Sequence, residues 1–207
     1  MSLQSSLFDS SAAPALGPLG TSLTRTRLDS ASWVDHQPGW VSGSDALFET
    51  VTEAVAWRAE RRQMYDRVVD VPRLVSWYDA GAELPHAVLS EARLRLSAYY
   101  RDALPEGFAT AGLCLYRDGT DSVAWHGDTI GRGRIEDTLV AIVSLGAPRA
   151  LLLRPRTGGA SLRFMLGHGD LLVMGGACQR TWEHAVPKTA RSSGPRISIQ
   201  FRPPGVR

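Results

Sequence analysis

The sequence predicts an α+β protein: a double-sheet jelly roll with two N-terminal helices packed on one sheet. Three observations lead there. Helical periodicity occurs twice in the first half and stops after Tyr100. From Phe108 onward, eight short β-rich runs follow one another. Turn residues separate these runs, among them Asp118-Gly119, Gly158-Gly159 and Gly175-Gly176. Eight strands behind two helices suit two packed sheets.

Each element has its own reason. Residues 1–30 are rich in Ser, Ala, Leu, Gly and Thr, and Pro14, Gly17, Pro18 and Gly20 interrupt any period. They are expected to form a flexible tail, with the folded domain over 31–207 starting near Ser32-Trp33-Val34. Ser42 or Ser44 caps the first helix, with Leu47, Val51 and Val55 on one face and Phe48 and Ala54 beside them. The second helix follows Pro85. Leu89, Ala92, Leu96 and Tyr99 or Tyr100 form its stripe, and Glu91, Arg93 and Arg95 face water. Between the helices, Arg73-Leu74-Val75-Ser76-Trp77-Tyr78 reads as a strand reached through a hairpin. The later strands are expected at 108–116, 122–126, 138–145, 150–154, 161–166, 170–174, 182–186 and 196–202.

A length of 207 residues suits one domain plus a tail. With 43% hydrophobic and 21% charged residues, the chain is neither wholly disordered nor collagen-like. No apolar stretch reaches 18 residues, and no basic region precedes an apolar run at the N-terminus. Cys114 and Cys178 are too few for a disulfide framework. A cytoplasmic monomer without a membrane segment is expected. Residues 1–129 carry 11 basic and 17 acidic side chains, and residues 130–207 carry 12 and 4. The basic C-terminal portion suits an anionic ligand or nucleic acid. Only Lys188 among the 23 basic residues is lysine.

The last strand alternates. Ile197, Ile199 and Phe201 share one face, and Arg196, Ser198, Gln200 and Arg202 the other. A half-exposed strand and a ligand-lined barrel interior both give this pattern, and periodicity alone leaves them open. Two His-x-Asp patterns occur, His126-Gly127-Asp128 and His168-Gly169-Asp170. At a strand end, such a pair puts an imidazole and a carboxylate on one side, and a distal histidine completes a 2-His-1-carboxylate iron(II) site. His184 lies 58 residues from His126, room for several strands, but only 16 from His168. His168 and Asp170 therefore read as turn residues, and His126, Asp128 and His184 as metal candidates.

The runs Leu115–Gly119, Asp121–Asp128, Ala141–Ala147, Trp182–Lys188 and Pro195–Arg202 together resemble the AlkB family of iron(II)- and 2-oxoglutarate-dependent dioxygenases. Pro72–Tyr78 resembles that family's nucleotide-recognition region. The likeness covers roughly residues 33–207 and implies a double-stranded β-helix. It also implies that His126, Asp128 and His184 hold iron(II). Arg196 would take the distal carboxylate of 2-oxoglutarate, helped by Tyr116 and Ser198, and Arg202 would sit near the keto-acid end. The reaction it implies consumes O₂ and 2-oxoglutarate and removes methyl groups from bases of the 1-methyladenine and 3-methylcytosine type in DNA. An RNA or tRNA base demethylase or hydroxylase with the same cofactors, and a non-catalytic nucleic-acid-binding module, are the alternatives.

A methylated Watson–Crick edge is reached only in single-stranded or flipped-out bases, which need stacking faces and basic groups. Trp77, Tyr78, Trp125 and Trp182 are the candidate stackers. Arg73 joins Met64, Tyr65 and Arg67 in a candidate lid, and Arg154 and Arg156 lie in a hairpin that could face nucleic acid. Cys114 and Ser198 stand where many relatives have Asn, and Thr129, Ile130 and Gly131 stand where acids often follow the His-x-Asp pair. In the tail, Gln4-Ser5-Ser6-Leu7-Phe8 is similar to peptides that dock into bacterial sliding clamps.

Overall fold

The computed structural model describes residues 12–64, 67–131, 133–191 and 193–206. The clamp-like peptide Gln4–Phe8 and Tyr65 of the candidate lid lie outside them. Residues 15–30, expected within the tail, carry two strands: β1 (Ala15–Leu16) and β2 (Thr24–Arg27). β2 pairs with β3 (Ser32–Gln37), and β1 with β4 (Val41–Ser42). Long-range contacts outweigh the weak local propensity of this stretch. Arg25 lies over the Trp33 ring at 3.8 Å and forks onto the buried Asp35 carboxylate at 2.6 and 2.7 Å. Gln37 donates to the Pro18 carbonyl at 2.9 Å.

The first helix is α1 (Ser44–Ala54), but neither serine caps it. Gly43 does, in the left-handed region with φ 61°. A Cβ there would lie 2.5 Å from the Ala12 carbonyl oxygen. Ser44 instead donates to the Val41 carbonyl at 2.6 Å. In α2 (Ala87–Tyr99), the His86 ring caps the start by accepting from the Val88 N–H at 3.1 Å. Tyr100 is buried behind it, while Tyr99 is exposed.

Between the helices, β5 (Arg58–Met64) and β6 (Arg67–Tyr78) form a long hairpin that begins well before the expected strand. The eight later strands fall where expected, within a few residues: β7 (Thr110–Tyr116), β8 (Val123–His126), β9 (Val140–Gly146), β10 (Arg149–Pro155), β11 (Leu162–Leu166), β12 (Asp170–Gly176), β13 (Trp182–Val186) and β14 (Arg196–Arg202). One short helix, α3 (Cys178–Thr181), precedes β13.

These strands build a double-stranded β-helix. The large sheet runs β2-β3-β12-β9-β14-β7-β6-β5, and the small one β11-β10-β13-β8. One apolar cluster joins the helices (Leu47, Val51, Leu89, Leu96) to the outer face of the large sheet (Leu113, Val143, Ile197, Phe201). A second fills the space between sheets, from Val75, Ile142 and Leu172 on one side to Leu151, Leu153 and Val186 on the other. Each such aliphatic side chain contributes about 1.5–3 kcal/mol on burial. The large sheet is thus covered on both faces, and its central strand β14 is buried throughout. Arg196, Ser198, Gln200 and Arg202 are only 1%, 3%, 9% and 4% exposed, so their face is an interior and not a wet surface. No helix among the described residues is long and apolar enough to cross a membrane.

Candidate active site

Between the sheets lies a cavity of about 470 Å³. β14 supplies its floor with Arg196, Ser198, Gln200 and Arg202. The small sheet supplies His126 and His184, and the loop after β8 supplies Asp128. Antiparallel pairing sets His184 of β13 directly opposite His126 of β8, so the two rings lie 4.2 Å apart. Asp128 follows the end of β8, and its backbone N–H donates to the Gln179 side chain at 3.0 Å. One ligand atom from each of the three residues lies within 4.8 Å of the others.

The protonation states suit a cation. His126 Nδ1 lies 2.8 Å from the Ala124 carbonyl. Donating there leaves Nε2 as the free lone pair. Burial pushes His184 down to about 3, with His126 adding to the effect, so its ring is neutral at neutral pH. Burial opposes the Asp128 charge, but Arg202 and the two imidazoles outweigh it and hold the carboxyl down to about 2. Two imidazoles and one carboxylate are the donor set of a facial iron(II) site.

Elsewhere in the cavity, several arginine N–H groups are unpaired. Among the described residues, the buried side-chain atoms without a hydrogen-bond partner are Arg73 Nε, Asp128 Oδ2, Thr138 Oγ1, Arg196 Nη1, and Arg202 Nε and Nη1. Five of these six belong to residues that line the cavity. Arg196 Nε donates to Ser144 Oγ at 3.0 Å, and its guanidinium lies 5.3 Å from the Tyr116 ring on the adjacent strand. Arg202 Nη2 is 3.2 Å from Asp128 Oδ2, close but without the alignment of a hydrogen bond. Buried, unpaired guanidinium groups are costly. A small dicarboxylate would satisfy those of Arg196 and Arg202, and a metal would satisfy Asp128. The residues present therefore fit both iron(II) and 2-oxoglutarate.

The two departures, Cys114 and Ser198, meet at one side chain. Gln200 donates to Ser198 Oγ at 2.7 Å, and the Cys114 thiol faces Gln200 Oε1 at 3.8 Å. A carboxamide is thus present beside both positions.

The expected substrate contacts divide by strand face. Arg73 and Trp77 line the cavity, and Trp77 is 41% exposed with the Arg202 guanidinium 5.3 Å from its ring. Tyr78 does not line it. As the neighbour of Trp77 in the strand it points to the opposite face, packing against the helix-side cluster. Trp182 is likewise a core residue: it is buried between the sheets and donates from its indole to Asp29 at 2.6 Å. Trp125 and Arg154 stack on each other at 4.2 Å, and Arg154 and Arg156 both pair with Glu183. His168 lies in the turn before β12, as expected, while Asp170 is the first residue of that strand. His168 accepts from the Gly146 N–H, and Asp170 from Gly167 and Gly39.

Sequence reasoning did not single out Gln179 or Glu60. Gln179 lies on the short α3, where no period is readable. Glu60 lies at an irregularity in the β5–β6 ladder, where Ala59 pairs with Leu74 but Arg61 with Asp70. Burial opposes the Arg73 charge, but Cys114, Tyr116 and Glu60 hold its pKa above the ordinary value.

Comparison with known proteins agrees with this geometry. Residues 28–202 match the family described as the 2OG-Fe(II) oxygenase superfamily. Alpha-ketoglutarate-dependent dioxygenase alkB homolog 3 of Bos taurus is 33% identical over 193 residues, covering 80% of this chain and 64% of that protein. The human homolog 3 is 31% identical over 193 residues with the same coverage, so the chain spans somewhat under two thirds of these relatives. DNA oxidative demethylase ALKBH2 of Homo sapiens is 32% identical over 178 residues, covering 77% of this chain and 68% of that protein. A solved structure described as that of OsALKBH1 superposes with a TM-score of 0.60 at 12% identity, covering 87% of this chain and all of that one. At that identity the superposition speaks for the fold alone.

Proposed function

The chain belongs to the AlkB family within the 2OG-Fe(II) oxygenase superfamily, and from this we propose that it oxidatively demethylates N-alkylated bases in DNA. One observation carries the reading. The His126–Asp128–His184 cluster, with Asp128 and His184 buried and His126 part-exposed, opens onto a cavity floored by two arginines with unpaired N–H groups.

His126, Asp128 and His184 would hold iron(II), with the Ala124 carbonyl and the Gln179 side chain fixing two of the three ligands. Bound iron(II) supplies the oxidation, in which O₂ and 2-oxoglutarate become succinate and CO₂ while one oxygen atom enters a substrate C–H bond. On an N-methyl group the resulting N–CH₂OH breaks at the C–N bond, releasing formaldehyde and the unmodified base. Arg196 orients the distal carboxylate of the cosubstrate, with Ser144 Oγ locking its guanidinium and Tyr116 and Ser198 beside it. Arg202 steadies Asp128 and the keto-acid end. Ile142, Leu151 and Val186 form an apolar wall that limits water around the reacting groups. Trp77 and Arg73, which line the cavity, would receive a base removed from its stack.

The test is to incubate the protein with iron(II), 2-oxoglutarate, ascorbate and a single-stranded oligonucleotide bearing 3-methylcytosine, and to follow formaldehyde. Release is expected, and its loss in His126→Ala and Asp128→Ala. Activity surviving either substitution contradicts the assignment. Matched DNA and RNA oligonucleotides decide the nucleic acid, with faster turnover expected on DNA.

A further inference from the structure

Asp128 and Glu60 are the two carboxylates among the described residues that line the cavity. Asp128 is committed to Arg202 and to the metal set. Glu60 is half-buried on the opposite wall. Strand alternation puts it there: Arg58 lies opposite Val75, which lines the cavity, and Glu60, two residues on, shares that face. Glu60 also lines a smaller adjoining cavity of about 170 Å³, sharing Val75 and Trp77 with the larger one. It therefore stands at the junction of the two, on the Arg73 side of Val75, with Trp77 on the other side. The three residues after Asp128 add no acid, being Thr129, Ile130 and Gly131.

Charge gives this placement a meaning. Arg73, Arg196 and Arg202 make the cavity cationic. Adenine methylated at N1 and cytosine methylated at N3 carry a delocalised positive charge and an exocyclic N–H donor. Thymine methylated at N3 is neutral and has no such donor. A carboxylate on the wall of this cavity accepts that N–H and offsets the charge, and a neutral amide cannot do both.

We propose that Glu60 is the substrate-reading carboxylate of this site, selecting cationic N-methylated bases over neutral ones. The assignment rests on the base-demethylation reading above. It is tested by measuring kcat/KM on two otherwise identical single-stranded oligonucleotides, one with 3-methylcytosine and one with 3-methylthymine. The unaltered chain, Glu60→Gln and Glu60→Asp are compared. The cation-to-neutral ratio is measured within each protein, so a general loss of folding cancels. Glu60→Gln is expected to lower the ratio about tenfold or more, as loss of one charge-assisted hydrogen bond implies. Glu60→Asp, which keeps the charge, is expected to hold most of it. An unchanged ratio in Glu60→Gln overturns the proposal and leaves Glu60 as a counter-charge for Arg73. Absence of turnover by the unaltered chain on both oligonucleotides refutes the demethylation reading instead, and this assignment falls with it.

Discussion

Replacing Arg196 by methionine should separate folding from cosubstrate binding. The guanidinium is 1% exposed and its Nη1 has no partner. Leaving a charged donor unsatisfied costs about 1–3 kcal/mol. Arg196→Met removes that penalty at nearly constant volume but forfeits the bond to Ser144, worth about 1 kcal/mol. The cosubstrate-free variant is therefore expected to be as stable as the unaltered chain or up to about 2 kcal/mol more so. That corresponds to a midpoint raised by roughly 0–8 °C. With iron(II) and 2-oxoglutarate, kept anaerobic to prevent turnover, the order reverses. At a hundred times its Kd, the cosubstrate adds about 2.7 kcal/mol to the unaltered chain, or roughly 5–10 °C, and little to the variant. Thermal unfolding of both proteins with and without cosubstrate reads all four values. A cosubstrate-free variant melting well below the unaltered chain would refute the unpaired guanidinium, and a variant keeping the full cosubstrate shift would refute its role.

Other consequences can be measured directly. A Cβ at Gly127 would lie 2.7 Å from the Gln179 carbonyl oxygen and 2.4 Å from Arg156. Gly127→Ala should therefore displace Asp128 and weaken metal binding about tenfold or more, followed by cobalt(II) titration in the visible range; unchanged affinity contradicts the geometry. At Gly112, a Cβ would meet the Trp77 ring at 2.7 Å and Arg202 at 2.8 Å. Gly112→Ala should destabilise the fold by about 1–3 kcal/mol and raise KM for the oligonucleotide, and steady-state kinetics with a thermal melt would expose a wrong expectation on either count. His184 titrates at about 3 when folded against 6.5 ordinarily, so below pH 6.5 the unfolded metal-free chain binds a proton that the folded one refuses. Stability should then fall with pH across that window, by up to about 1.4 kcal/mol per unit. His184→Asn should flatten the slope of denaturation midpoint against pH, and an equal slope in both proteins counts against the buried neutral ring.

Features set by local pattern were readable from the sequence. The β-rich runs were bounded by turn residues, the alternation of β14 required no partner to see, and spacing preferred His126 over His168 as the partner of His184. Features set by distant contacts were not readable. Residues 15–30 look like a tail because their strands are held by Trp33, Asp35 and Trp40, which lie beyond that stretch. Tyr78 and Trp77 are indistinguishable as aromatic neighbours until the register of β6 on β7 fixes which one faces the cavity. Trp182 looked like a stacker, but Asp29, 153 residues away, claims its indole. Glu60 was hidden for the same reason, since only the pairing of β5 with β6 puts its face on the cavity side with Val75.

The two faces of β14 have a consequence for how the chain folds. A slip of one residue would drive Arg196 and Arg202 among the aliphatic side chains under the helices and turn Ile197, Ile199 and Phe201 inward. Such a misregistered sheet would expel charge into oil on one side and leave the other without its cations, so it makes a poor decoy for the native state. Folding thus proof-reads the cosubstrate site: a chain that has paired its central strand correctly has also aimed both guanidinium groups at the place where the dicarboxylate must bind.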